Sequence, residues 1–203
     1  MNMKKEAAII VCLTAILVFS PLAGFGQAAT SFSGEAVALR VNALGISLSA
    51  ADTGPLPSTG GNLSTSLAKV NVLGLASADA LTSTTSGSGT SSQSESRVAN
   101  LNLLNGLITA QVVDSTSSAT CSGSTASTSG NVDIVNLVAA GQSIAVSNPN
   151  LAISLPGGIS LVVNQQTSSS GGSSGSITVN ALHVTGPSID IVVASSQSGI
   201  TCQ

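Results

Sequence analysis

The sequence predicts an all-β fold, an antiparallel meander of long hairpins packed as a β-sandwich or an irregular β-solenoid. Three observations predict it. Apolar and polar residues alternate with period two, as in Val37, Leu39 and Val41 against Ala38, Arg40 and Asn42, the mark of a half-buried strand. Turn chemistry recurs between apolar runs, most clearly at Asn105-Gly106, Ala140-Gly141-Gln142 and Pro156-Gly157-Gly158. Beyond the N-terminus, no window of ten residues carries a capped 3.6-residue stripe.

The first element is a secretion signal over residues 1–28. Lys4 and Lys5 supply its basic start, Ala7 to Phe19 its apolar run, and Pro21 and Gly24 its break. That run is short for a membrane helix, which needs roughly 20 residues. Gly26-Gln27-Ala28 places small residues at the cleavage positions, so the cut falls between Ala28 and Ala29. The mature chain, residues 29–203, then forms a single domain without a membrane span. Its expected place is outside the cytoplasm: secreted, at the cell surface or in the periplasm.

Charge is scarce. Of 203 residues only 6% are charged and 1% aromatic, against 42% hydrophobic. A typical soluble domain carries roughly 25% charged residues. Removing the signal takes away part of the hydrophobicity and leaves an ordinary apolar share, with Ser and Thr where charges would stand. The formal charge of −3 excludes the basic footprint of a nucleic-acid binder and any cation cluster for acidic lipid. With Phe32 the one mature aromatic residue, the core is expected to be Val, Leu, Ile and Ala. Cys121 and Cys202 are the two cysteines left after cleavage, and an exported chain pairs them by default. That bridge closes a long loop and contributes about 4.5 kcal/mol in the chain-entropy picture.

Along the mature chain, apolar cassettes alternate with polar tracts. The cassettes begin at Arg40-Val41-Asn42, Lys69-Val70-Asn71 and Arg97-Val98-Ala99-Asn100, with looser copies at Val132–Leu137 and Ile177–Leu182. Asn42, Asn71 and Asn100 are spaced by 29 and 29, and all three mature cations stand just before the Val, so the repeat is internal and degenerate. Ala99 is an extra residue, and a β-bulge there would return Val98 and Leu101 to one face. Arg40, Asn42, Lys69, Asn71, Arg97 and Asn100 are the candidate outward polar ladder for a partner, with a solvated strand face as the plainer reading. The Ser/Thr/Gly tracts Thr82–Ser96, Ser115–Gly130 and Thr167–Ser176 read as hairpin arms turning at Gly87/Gly89, Gly123 and Gly171/Gly172. Sheet edges built this way lack charged guards and invite strand association.

The run Arg97–Ala110 (RVANLNLLNGLITA) resembles the signature stretch of the bacterial choice-of-anchor P family. The order of later motifs is similar too: Asn136-Leu137 with Gly141-Gln142, Pro149-Asn150, Leu155-Pro156-Gly157, Val162–Thr167, Thr178–Val184 and Asp190–Ser195. The likeness spans residues 30–203 and implies an exported surface protein without an assigned molecular role. That family's name reflects varied C-terminal anchors. This sequence closes on Cys202-Gln203 with no sorting tail, which leaves release as open as attachment.

Other motif matches carry no chemistry. Leu56-Pro57-Ser58-Thr59-Gly60 fits the sortase consensus but lies before the body of the domain, so it reads as a turn-rich loop. Gly171-Gly172-Ser173-Ser174-Gly175 fits the nucleophile-elbow pattern but sits in a tract followed by a strand, not a helix. His183, the one histidine, lies between Leu182 and Val184 and so faces away from the core. One histidine and scattered aspartates give no metal set, and no cofactor or catalytic residue is expected. The expectation is a non-enzymatic structural or adhesive surface protein, its partner itself or a cell-surface polymer. The alternative is a glycan- or small-ligand-binding module.

Overall fold

The computed structural model describes residues 30–203 apart from Leu44, Leu73 and Ser147. The signal segment and the cleavage positions Ala28 and Ala29 lie outside the described residues. The strands, in chain order, are β1 (Ser31–Ala43), β2 (Ile46–Asp52), β3 (Gly61–Val72), β4 (Ala76–Ser88), β5 (Ser91–Leu103), β6 (Ile108–Ser122) and β7 (Thr125–Val135). They continue with β8 (Val138–Ala139), β9 (Gln142–Ser143), β10 (Leu151–Leu155), β11 (Ile159–Gly171), β12 (Ser174–Gly186) and β13 (Ile189–Thr201). Sheet I runs β10-β11-β12-β13-β1-β2, and sheet II runs β3-β4-β5-β6-β8-β9, with β7 on the remaining length of β6. Each strand pair is antiparallel. β1 stacks over β4 and β5, β13 over β5 and β6, and β12 over β6 and β7. The fold is a two-layer sandwich of long hairpins.

Turn residues act where the sequence placed them. The three Ser/Thr tracts are the ends of hairpin arms, and Gly89, Gly123 and Gly172 turn them at φ of 56, 58 and 57°. Ala140-Gly141 closes β8 on β9, and Pro156-Gly157-Gly158 closes β10 on β11. The Asn105-Gly106 hairpin is longer than a two-residue turn. Leu103 pairs with Ile108, and Leu104, Asn105 and Gly106 all take positive φ.

A crease crosses each sheet. In sheet I it runs through Ala51, Ala38, Ala194, Ala181 and Asn164, the positions skipped in the register of successive strands. Ala51, Ala194 and Asn164 hold φ near +50°, a left-handed conformation on alternate strands. Sheet II carries the same device at Ala80, Asn100 and Asn136. Because side chains alternate strictly along a strand, one left-handed or bulged residue reverses which parity points inward. Phe32, Gly34 and Ala36 face in before the crease of β1, and Leu39, Val41 and Ala43 after it. The expected Ala99 bulge is part of this line: Val98 and Leu101 are both buried. Val37 is corrected by it: although only 2% exposed, it points away from Leu39, beside Glu35 and Arg40, and joins neither core cluster.

The crease divides the interior by chemistry. On one side Leu39, Leu81, Leu103, Ile108, Leu161, Leu182 and Ile191 form an aliphatic core. On the other, the expectation of a wholly aliphatic interior fails. Ser83, Thr85, Ser92, Ser94, Ser96, Ser115, Ser117, Ser196 and Ser198 are buried between the sheets. Ser94 donates to the carbonyl of Gln197 at 2.6 Å and Ser92 to that of Ser33 at 2.8 Å, both across the layers. A hydroxymethyl that reaches the opposite backbone links the layers directly, where an aliphatic sandwich interposes two interdigitating side-chain layers. A small apolar cluster of Phe32, Leu56, Ala119, Ala126, Ile200 and Cys202 caps that end.

Candidate functional site

Cys121 near the end of β6 and Cys202 after β13 form a disulfide, with 5.6 Å between Cα atoms and 81 residues of separation. It joins sheet II to sheet I at the serine-rich end. The Cys202 N–H also donates to Ser173 in the β11–β12 turn at 2.6 Å, so three chain segments meet there.

The six residues of the expected polar ladder do not form one array. Arg40 and Asn42 stand on β1 of sheet I, while Lys69 and Asn71 lie on β3 and Arg97 and Asn100 on β5, in sheet II. Each cation is engaged by an acid: Arg40 with Glu35 at 3.2 Å, Lys69 with Asp79 at 3.6 Å, Arg97 with Asp114 at 4.0 Å. Asn42 and Asn71 are the penultimate residues of their strands, and the matching residue of β5 is Asn102, not Asn100. The bulge beside Ala99 displaces the repeat by two, leaving Asn100 in the crease at φ 51°. Asn71 and Asn102 flank Ser77 in one outward row.

A hollow of about 370 Å³ lies on the outer face of sheet II, over its serine-rich half. Two transverse rows floor it. One is Thr84, Glu95, Thr116 and Asn131, in register across β4, β5, β6 and β7; the next is Ser86, Gln93, Ser118 and Ser129. The strands present these side chains because their inward parity is spent on Ser83, Thr85, Ser94, Ser96 and Ser117. The floor offers hydroxyls and amides that both donate and accept, one carboxylate and no cation. At its border Arg97, Asp114 and Asp133 form a third row. Burial pushes the Asp114 carboxyl above the usual range. Glu95 and Asp133 push it the same way, and Arg97 opposes them. Sequence reading missed this hollow, since the tracts declare it only once their register is known.

Sheet I carries a smaller polar group on its outer face. The His183 ring lies 3.3 Å from Asp190 through Nε2 and 3.0 Å from Gln165 Oε1 through Nδ1, and Asn180 donates to the same oxygen at 2.8 Å. His183 thus faces outward, as its neighbours implied. Ser173 of the elbow-like motif is ten residues away along β12, a span of roughly 30 Å in an extended strand. These two residues cannot act as a nucleophile–base pair. The Leu56–Gly60 motif is a loop whose Leu56 is buried in the end cluster, with the Leu56 N–H donating to Gly34 at 2.7 Å. Among the described residues, no group of three His, Cys, Asp or Glu is placed to hold a metal ion, and no helix is long and apolar enough to cross a membrane.

The chain was compared with protein-family models, with curated proteins and with solved structures, and none of the three gives a match.

Proposed function

We propose that this is an exported, non-enzymatic surface protein with a structural or adhesive role. The observation that carries the reading is the disulfide between Cys121 and Cys202, which clamps both sheets at the serine-rich end. Such a bond persists in an oxidising compartment and supports a destination outside the cytoplasm, in line with the basic-apolar-small pattern of residues 1–28. Neutral outer faces of Ser, Thr, Asn and Gln hydrogen-bond to polymers and tolerate salt, since little of their binding is ionic. The resemblance of the motif order to choice-of-anchor P proteins supports the same placement.

Cell fractionation combined with intact-mass measurement tests the reading. A mature chain starting near Ala29, with its two cysteines oxidised, in the envelope or medium is the expected result. A full-length cytoplasmic chain with free thiols would refute it.

A second reading, a glycan-binding module, is favoured by the hollow over Glu95 and Thr116. An array of neutral glycans tests it: binding weakened by Glu95→Gln and Thr116→Ala is expected, and an array without hits removes it.

A further inference from the structure

The two edges of the sandwich that meet at β2 and β3 differ in how they are finished. Past β2, the loop at 53–58 continues along β1: Thr53 donates to Ala36 at 3.0 Å, Leu56 to Gly34 at 2.7 Å, and Phe32 to Ser58 at 3.0 Å. The edge of sheet I is thereby sealed over its serine-rich half. Nothing comparable covers β3 among the described residues. It ends sheet II, and among the described residues no strand or loop bonds to its outer side. Every second residue of this 12-residue strand therefore directs its N–H and C=O outward. The opposite edge is less open, because Ala126 of β7 donates to Gly172 at 3.0 Å and Gln166 donates to the Gly130 carbonyl at 3.4 Å.

β3 also lacks the devices that protect a free edge. It has no proline, and its single charge, Lys69, is held toward Asp79 on β4. Leu67 lies on the same face as its partner, the fully buried Leu81, yet it is 40% exposed. Ile46, also 40% exposed, lies on β2 along the same side of the molecule. An unpaired strand beside an uncovered leucine is satisfied by another strand, whose backbone closes the open edge and whose Leu63, diagonal to Leu67 across the pair, covers part of it.

We propose that β3 is a self-association edge, where a second copy of this chain adds its own β3 antiparallel about a two-fold axis at Ser64. The regular part of the strand, Gly61–Leu67, ends at the crease, and only a centre at Ser64 uses all of it. Leu67 of each copy then meets Gly61, and Thr65 meets Leu63, so inward side chains face inward and outward ones outward. No charged residue lies within the paired segment, so no like charges oppose each other. A two-fold contact of this kind is closed and self-complementary. The pairing identifies the partner in the adhesive reading as another copy, but it rests on the edge geometry, and fractionation and association can fail separately.

Sedimentation velocity on the purified mature, disulfide-bonded chain tests it. A doubling of mass with rising concentration is expected for the parent protein and for Ser127→Lys, on the far edge. Leu67→Lys is expected to remain monomeric while its circular-dichroism spectrum is unchanged. Ser64→Cys, an exposed change that leaves the core alone, is expected to become a covalent dimer on mild oxidation. A parent chain monomeric at all concentrations overturns the proposal. So does a folded Leu67→Lys protein that dimerises like the parent, or a Ser64→Cys protein that stays uncrosslinked.

Discussion

Ser117 of sheet II and Ser198 of sheet I hydrogen-bond at 2.9 Å through the middle of the sandwich, 81 residues apart in the chain. Ser198 also reaches the Ser117 carbonyl at 3.1 Å and Ser94 Oγ at 3.3 Å, and Ser94 in turn contacts Thr85 Oγ1 at 2.7 Å. The network ties the layers together where leucines would otherwise stand. Its net energy is modest per bond, but removing one member leaves buried partners unsatisfied.

Ser198→Ala is therefore expected to lose about 1–3 kcal/mol in urea unfolding. Ser196→Ala, two residues earlier, is expected to be neutral or slightly stabilising, because its buried hydroxyl finds no partner among the described residues. Equal losses at the two positions would show that the network adds nothing to burial alone.

Cys202→Ser, or reduction of the parent, is expected to cost about 2–5 kcal/mol and to expose the serine-rich end first. Limited proteolysis should then cut near the β6–β7 and β11–β12 turns before it reaches the aliphatic half. Uniform cutting would mean that the bond stabilises the whole body evenly.

Asp114 predicts a pH effect of definite sign. Its folded pKa is raised above the unfolded value, chiefly by burial and then by Glu95 and Asp133. The protonated form is favoured in the fold, so this residue's penalty is absent at low pH and grows as pH rises through that raised pKa. Asp114→Asn should be more stable than the parent at neutral pH, with the advantage vanishing in acid. Denaturation series at pH 7 and pH 3 read the difference.

The crease predicts a preference by position. Ala80 is exposed and held at φ 50°, where an L side chain is strained and glycine is not. Ala80→Gly is expected to gain about 0.5–1 kcal/mol, and Ala80→Val to lose more than that. Thermal midpoints of the two variants check it, and a reversed order would place the register shift elsewhere.

Much of the fold was legible in the sequence because it rests on local chemistry. Gly89, Gly123, Gly172 and the Pro156-Gly157-Gly158 run turn the chain wherever they occur, and the extra Ala99 announced its own bulge. The crease was not legible as a whole. Four of the five residues on its sheet I line are alanines, which carry no conformational signature. Its one trace was the change of inward parity within β1, from Ala36 to Leu39. The serine core was hidden for a related reason: a Ser that faces a neighbour's backbone reads the same as one that faces water. The hollow at Thr84, Glu95, Thr116 and Asn131 depends on the register of four strands, which no single segment specifies. Asn100 was misassigned because even spacing was read as structural equivalence.

Burying hydroxyls instead of hydrocarbon over part of the interior also shapes how stability responds to temperature. Exposing apolar area raises the heat capacity of unfolding, whereas exposing polar area lowers it. This sandwich should fall below the usual ~12–15 cal/mol/K per residue, giving a broad, shallow stability curve. Cooling, which weakens hydrophobic attraction, would leave the serine-lined half largely untouched. A chain with that profile meets large swings in temperature with little change in the fraction folded.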